Sequence, residues 1–185
     1  AADPESIVLA IGGDGTVHHV ACGVLESGAI LGVCPAGTGN DFAFALGLRS
    51  GQVPELTTVR HVDVGWVRLD EGPAHCFVNA VGLGFDAAST IRAERRRFLP
   101  GVLRYHAAIL ETLLGWRSPD ARIVTDNASW RQDIMFVTVS NGPRSGGDFL
   151  ISPDADVSDG LLDLCADRKS TRLNSSHLVI SYAVF

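Results

Sequence analysis

Two short stretches of this chain combine residue types suited to chemistry on phosphate. The first, Gly12-Gly13-Asp14-Gly15-Thr16, follows directly on an apolar run that ends at Ile11. The second, AGTGND at 36–41, follows another such run ending at Pro35. Glycines let backbone N–H groups turn toward a ligand with no Cβ in the way, and a helix that starts after such a loop offers unpaired N–H groups and the positive end of its dipole. Asp14 is the unexpected member. A carboxylate beside a phosphate is repulsive unless Mg²⁺ or a reacting hydroxyl proton lies between them, so the pairing points to metal-assisted phosphoryl transfer more than to passive binding. The competing reading is a tight turn in which Asp14 caps the following helix. Thr38 can offer a hydroxyl to a phosphate oxygen, and Asn40 or Asp41 is placed to cap the next helix.

A second chemical feature is SPDADVSDGLLDL (152–164), where Asp154, Asp156, Asp159 and Asp163 crowd a loop whose glycine permits a sharp turn. Hard cations such as Mg²⁺ and Ca²⁺ favour oxygen-rich sites of this kind; a bare acidic turn is the alternative. Arg92, Arg95, Arg96 and Arg97 form a dense basic cluster. Such a patch suits anionic lipid headgroups, although a solvated helix face is the simpler reading. His18 and His19 are adjacent and point to different sides of a helix, a poor arrangement for one metal; His18 lines the nucleotide pocket by position.

The elements that must hold these residues follow from periodicity. Ser6–Ile11 (SIVLAI) is a short, branched, continuously apolar run, as expected of a strand buried on both faces. Val17, Val20, Ala21, Val24 and Leu25 then recur on one helical face, and Gly28 ends the helix. Ala29–Pro35 (AILGVCP) is a second buried strand running into the second loop, with another helix beginning near Asp41. Parallel strands joined by right-handed crossovers bring both loops to one edge of the sheet, where open α/β sheets bind ligands. The loops match neither G-x-x-x-x-G-K-[ST] nor G-x-G-x-x-G. Beyond a linker at Ser50–Leu56 the signals become strands: Val62, Val64 and Trp66 alternate, DEGPA turns the chain into HCFVNAVGLGF as a hairpin, and ARIVTD and QDIMFVTVSNG follow. Between them lies one helix, with Val102, Leu103, His106, Ile109, Leu110, Leu113 and Leu114 on a shared face that reads as core packing.

Asp167–His177 (DRKSTRLNSSH) translates in frame a stretch that looks like a common sequencing-library adapter, and Ile180–Phe185 translates its continuation. Leu178 and Val179 occupy the index between them. The tail from Asp167 onward is therefore expected to be non-native. It holds the chain's only lysine, Lys169. Three basic residues (Arg168, Lys169, Arg172) and one acidic residue (Asp167) fall in it, so the formal net charge of −6 becomes −8 without it. An acidic balance argues against a nucleic-acid surface, which needs clustered positive charge. With 46% apolar residues the chain can bury a core, and no apolar run approaches the roughly 20 residues that span a bilayer. No secretory signal is visible. Cys22, Cys34, Cys76 and Cys165 are scattered, which suits reduced core thiols in a cytosolic protein.

Taken together, GGDGTVHHV, PAGTGNDFA, NAVGLGFDA and ISPDADVSDGLLDL resemble the catalytic region of the diacylglycerol kinase, sphingosine kinase and bacterial lipid kinase family. GGDGT alone is shared with NAD kinases and phosphofructokinases; GTGNDFA and DGLLD point to the lipid branch. The resemblance implies an α/β plus β fold: a partial Rossmann-like nucleotide-binding α/β domain (1–60), then a β-rich sandwich domain with one or two helices (61–166). It implies a cytoplasmic bacterial enzyme of phospholipid metabolism that uses ATP and Mg²⁺, acting on a lipid substrate at the inner face of the membrane, with homodimerisation left open. Gly12, Gly13, Asp14, Gly15, Thr16, Val17, His18 and Thr38 would then hold nucleotide, with Asp14 catalytic. Asp156, Asp159 and the carbonyl of Leu161 would hold a structural Mg²⁺, linked to Asp14 through waters. The family also implies strands and helices before Ala1 that help hold the nucleotide, and a glutamate acting as catalytic base beyond Ala166, so that this chain alone is expected to be inactive. The alternatives are a NAD kinase or another small-molecule kinase sharing the loop, and a non-catalytic nucleotide- or lipid-binding module.

Overall fold

The structure, a computed structural model, describes residues 6–54, 57–96, 101–126, 128–147, 149–168 and 176–180. In chain order the elements are β1 (Ile7–Gly12), α1 (Asp14–Ser27), β2 (Ile30–Pro35), α2 (Asp41–Ala45), β3 (Gly65–Arg68), β4 (Ala74–Phe77), β5 (Ala80–Gly84) and α3 (Phe85–Arg95). They continue with α4 (Gly101–Gly115), β6 (Asp120–Val124), β7 (Ser129–Ser140), β8 (Arg144–Ser145), β9 (Phe149–Leu150), β10 (Leu162–Arg168) and β11 (Ser176–Ile180). Two compact units result. One takes residues 1–81 with 140–163, the other 82–139 with 164–180.

In the first unit β1 and β2 pair in parallel, from Ile7 opposite Ile30 to Gly12 opposite Pro35. That register decides where the chemistry sits: both strands end at the same level, so the loops that follow them leave side by side. Between the strands, α1 lays Val17 and Ala21 into a core shared with Ala10, Val33, Phe42, Ala43, Val78 and Val157. Gly28 stops the helix as expected, in the left-handed region (φ 73°), with its N–H bonded to Val24 O at 2.8 Å. Glycine tolerates that conformation without a Cβ penalty. The expected hairpin is present: β3 pairs antiparallel with β4, Gly65 opposite Phe77. The expectation of reduced cysteines is corrected here. Cys22 of α1 and Cys76 of β4 form a disulfide, which includes neither Cys34 nor Cys165. The sequence separation of 54 residues hid a pairing that only the packing of α1 on β4 brings together.

The second unit is a sheet in the order β11-β10-β7-β5, with β6 also beside β7. Its core gathers Ile134, Val137 and Leu164, with Ile123, Trp130 and Val139 packed around them. Helices α3 and α4 complete it, in agreement with an α/β part followed by a β-rich part bearing two helices. The helix expected over 102–114 is present, but its packing face is not the leucine face. Among its described side chains Ala108 and Thr112 are buried, and Leu103, Leu110, Leu113 and Leu114 are exposed. Helices α3 and α4 pack on one another, and on α3 too the buried residues are small, Ser89 and Ala93. Arg97 lies outside the described residues, and β11 lies within the tail read as adapter sequence.

Candidate functional site

The two loops touch. An added Cβ on Gly37 would stand 2.2 Å from the Cα of Gly13, and one on Gly13 would stand 3.1 Å from the Cα of Gly37. Only glycine permits this backbone approach. Gly12 is required for a different reason, because the Thr16 side chain folds back over it, its Oγ1 2.5 Å from where a Cβ would be. Gly13 precedes α1 in extended conformation and supplies no side-chain cap, so the first-turn N–H groups of α1 stay open toward the loop. Around Gly15, the second residue of α1, a Cβ would meet nothing within 4 Å.

Asp14 faces the second loop. Its Oδ1 accepts the N–H of Phe42 at 3.1 Å, and its Oδ2 lies 2.9 Å from the Cβ position of Gly39. Asp14 thus caps a helix, but the helix is α2, not its own. The expected caps are corrected accordingly. Asn40 sits in the left-handed region (φ 55°) and closes its own loop: its Oδ1 accepts Gly37 N–H at 2.9 Å and its Nδ2 donates to Gly37 O at 2.7 Å. Asp41 is buried and turns to a third loop, accepting Gly147 N–H at 3.0 and 3.1 Å, with Arg144 Nε 3.5 Å away. Arg144 also stacks 4.4 Å over the ring of Phe44.

Of the other expected nucleotide residues, Thr16 and Thr38 are exposed and Gly15 lies open beside them. Val17 lies beneath the loop, with its side chain in the core and its N–H bonded to Gly13 O at 3.0 Å. His18 is half-buried, edge-on to His19 at 5.4 Å between ring centroids. Burial, and then the neighbouring His19, push the His18 pKa down. His19 Nδ1 lies 2.7 Å from Gly15 O. A crevice of about 580 Å³ in this unit, walled by Val24, Leu25, Leu31, Leu46, Val62 and Val64, is apolar and includes none of the loop residues.

The acidic stretch forms a tight loop in the same unit. Asp156 Oδ1 accepts the N–H and hydroxyl of Ser158 at 3.0 and 2.7 Å, and Asp159 Oδ1 accepts Leu161 N–H at 2.9 Å. The second oxygen of each carboxylate lies outside these turn bonds. Two carboxylate oxygens and the Leu161 carbonyl suit a hard cation that keeps several waters. No cluster of three His, Cys, Asp or Glu stands ready for a metal among the described residues. Asp63 anchors the loop, its Oδ2 accepting Gly160 N–H at 2.7 Å and its own N–H bonding Val157 O at 2.7 Å.

Sequence reasoning missed the third loop. Gly147 approaches the Cβ position of Gly39 to 3.4 Å, and both Gly146 (φ 74°) and Gly147 (φ 95°) are left-handed. The pair of glycines in NGPRSGG was the available signal. Behind this loop Asn79 Nδ2 donates to Arg144 O at 2.8 Å, and the fully buried Asn141 donates to Asp63 O and Val78 O at 3.0 and 2.8 Å. Two asparagines therefore tie β4, the acidic loop and the third glycine loop into one frame.

Residues 1–67 match the diacylglycerol kinase catalytic domain, and residues 79–180 match the YegS C-terminal NAD kinase beta sandwich-like domain. The chain belongs to the diacylglycerol kinase family of lipid kinases. A diacylglycerol kinase of Mycobacterium tuberculosis is 33% identical over 172 residues, covering 89% of this chain and 56% of that protein. One from Bacillus subtilis is 31% identical over 178 residues, covering 89% and 55%. A crystal structure of a diacylglycerol kinase from Bacillus anthracis superimposes with a TM-score of 0.65 at 24% identity, over 95% of this chain and 64% of that one. The chain thus spans about half the length of these curated relatives.

Proposed function

We propose that this chain is the phosphate-binding part of an ATP-dependent lipid kinase, which moves the γ-phosphoryl group to a hydroxyl of a lipid such as diacylglycerol. The observation that carries the reading is the backbone contact of Gly13 with Gly37, which joins two flexible loops at one sheet edge with Asp14 facing the junction. Gly12, Gly13, Gly15 and Thr16 cradle the phosphates with the open N–H groups of α1, and Thr38 adds a hydroxyl from the second loop. Asp14 Oδ1 is held by Phe42 N–H, which fixes the carboxylate so that Oδ2 presents to a cation, a water or the acceptor hydroxyl. When bound, Mg²⁺ neutralises charge on the transferring group; the residues suited to a structural ion are Asp156, Asp159 and the carbonyl of Leu161. Most of the rate in phosphoryl transfer comes from such positioning and charge neutralisation.

The test uses the chain itself. A fluorescent ATP analogue with Mg²⁺ is expected to bind saturably, to be displaced by ATP, and to bind at least tenfold more weakly to Gly37→Val. Radiolabelled ATP is then offered with diacylglycerol and sphingosine in mixed micelles, and with NAD and fructose 6-phosphate in solution. Transfer confined to the lipids, or no transfer to any acceptor with ATP binding intact, agrees with the reading. Transfer to NAD or to the sugar phosphate overturns it in favour of a small-molecule kinase, and absence of ATP binding removes the kinase reading altogether.

A further inference from the structure

Helix α1 is fastened at two points by different means. Its head meets the second glycine loop, through Gly13 against Gly37 and through Asp14 on the N–H of Phe42. Eight residues after Asp14, about 12 Å along the axis, Cys22 is bonded to Cys76 of β4. Gly15, His18 and Cys22, at i, i+3 and i+7, lie along one side of α1, so the disulfide grips the helix on the stripe that begins at the open glycine of the phosphate loop. Apart from this bond α1 packs mainly on β1 and β2 and touches β4 only lightly. The β3–β4 hairpin is a sheet separate from β1–β2. The disulfide is therefore the firm tie between α1 and the hairpin.

What β4 carries makes that tie consequential. The strand runs on into Val78, in the core, and Asn79, whose O accepts the N–H groups of Asn141 and Gly142 at 2.7 and 3.0 Å and whose Nδ2 donates to Arg144 O at 2.8 Å. Arg144 lies against Asp41 of α2, and α2 is capped by Asp14. The Cys22–Cys76 bond thus closes a ring that runs from α1 through β4, the third glycine loop and α2 back to the head of α1, all within the first unit. Its two sulfurs are unequal. Cys22 is half-buried and Cys76 only 6% exposed, so an exchanging thiol or disulfide reaches Cys22 first and Cys76 resolves the intermediate. In the cytosol, where an ATP-dependent enzyme finds its nucleotide, glutathione and thioredoxin keep thiols reduced, and a disulfide there is transient or redox-sensing.

We propose that Cys22 and Cys76 form a thiol–disulfide switch on the phosphate loop: the disulfide holds α1 and the loop at its head in the binding geometry, and the dithiol frees α1 from β4 and weakens nucleotide binding. The oxidant is a small-molecule disulfide such as oxidised glutathione. The Cys22 thiolate attacks one of its sulfurs, breaking that S–S bond and releasing one glutathione; the Cys76 thiolate then attacks Cys22 Sγ and expels the second. Two protein thiols give up two electrons, and their two protons end on the two glutathione molecules. A loop already held in place loses less freedom when phosphate binds, which gives the disulfide form the higher affinity. Only the compartment and the choice of nucleotide as ligand rest on the lipid-kinase reading; the ring that the disulfide closes does not.

Equilibration of the chain in graded mixtures of reduced and oxidised glutathione tests the switch. Thiols are trapped with iodoacetamide, and mass spectrometry of proteolytic fragments reads Cys22 and Cys76 apart from Cys34 and Cys165. Affinity for a fluorescent ATP analogue with Mg²⁺, and amide exchange over Gly13–Thr16 without nucleotide, are measured on the same samples, with the β6–β7 hairpin of the second unit as the exchange reference. The dithiol form is expected to bind the analogue about fivefold more weakly, and to exchange faster over Gly13–Thr16 but not in the hairpin. Linkage then requires a saturating analogue to shift the glutathione ratio at half-oxidation by the same factor, which a mere staple leaves unmoved. Cys22→Ser replaces the more exposed sulfur and leaves Cys76 as a small buried thiol; it should behave as the dithiol form in every mixture, and the reduced parent makes the same comparison with no substitution. Free thiols at both positions under full oxidation, loop exchange unchanged by reduction, exchange rising equally in the hairpin, or a Cys22→Ser chain that still follows the glutathione ratio would each overturn the switch, the third in favour of a structural staple and the last in favour of Cys34 or Cys165. Equal analogue affinity in both forms sinks the switch alone, and redox-dependent loop exchange with no analogue bound in either form sinks the kinase reading alone.

Discussion

Two glycines in α1 offer a sharp comparison. Gly15 and Gly23 lie in the same helix, and a Cβ added at either meets nothing within 4 Å. Neither has the positive φ that would strain a side chain. Alanine in a helix interior is favoured over glycine by about 1 kcal/mol, so Gly23→Ala should stabilise the fold by about that amount. Gly15 is the second helical residue, where the helix is less fully formed, and about half as much is expected there. For a chain of this size 1 kcal/mol moves Tm by about 2–4 °C, so both variants should melt higher. Their nucleotide affinities should diverge. With phosphate placed on the start of α1 as proposed, a methyl at Gly15 would be forced against it, and such a close contact costs about 1–3 kcal/mol, at least a fivefold loss of ATP affinity. Gly23, more than two turns along, should bind as the parent does. Thermal melting and titration of a fluorescent ATP analogue on both variants give the two readouts. Equal affinity for Gly15→Ala and Gly23→Ala would refute the placement of phosphate on the start of α1.

Other perturbations have equally definite outcomes. Asp14→Asn keeps an oxygen for Phe42 N–H and should change stability little in urea unfolding, whereas Asp14→Ala removes the α2 cap and should cost about 0.5–2 kcal/mol; a reversed order of the two would contradict the cap. Reduction of Cys22–Cys76 opens a loop with a sequence separation of 54 residues, and chain-entropy reasoning puts the loss at about 4 kcal/mol. Urea unfolding with and without dithiothreitol, beside a Cys22→Ser/Cys76→Ser double variant, measures it. His18 has a folded pKa below its unfolded value because burial disfavours the charged ring. Its contribution is intact above the unfolded pKa and is lost as pH falls from there through the folded pKa, so stability should decline on acidification below about 6.5. His18→Gln should flatten that decline, and an unchanged slope would assign it to other groups.

Local pattern made β1, α1 and β2 legible, because each rule involved acts within a few residues: branched apolar runs, a 3.6-residue stripe, and a glycine at the helix end. The meeting of the two loops was also legible, since parallel pairing in register fixes it. What sequence did not disclose lay in long-range partners. Asp14 reaching Phe42, Asp41 reaching Gly147 and Cys22 reaching Cys76 depend on which elements pack together, and no local rule encodes that. The core position of Val17 was not read from the loop motif, because a motif lists residues without saying which of them, here the fourth of a helix, points back at its strand. The leucine stripe of α4 was misread because periodicity reports an apolar face without reporting what covers it. The buried positions are an alanine and a threonine, Ala108 and Thr112.

The hydrogen bonds from Phe42 N–H to Asp14 and from Gly147 N–H to Asp41 share helix α2. They place a short rigid link between the head of α1 and the turn joining β8 to β9. Any event that draws electron density from the Asp14 carboxylate, such as a cation arriving at Oδ2, weakens the grip on one amide at the near end of this lever and shifts the load toward the far end. Phe42 and Gly147 thereby become a natural pair of reporters, whose amide exchange rates should change together when the loop is occupied, although 105 positions of sequence separate them.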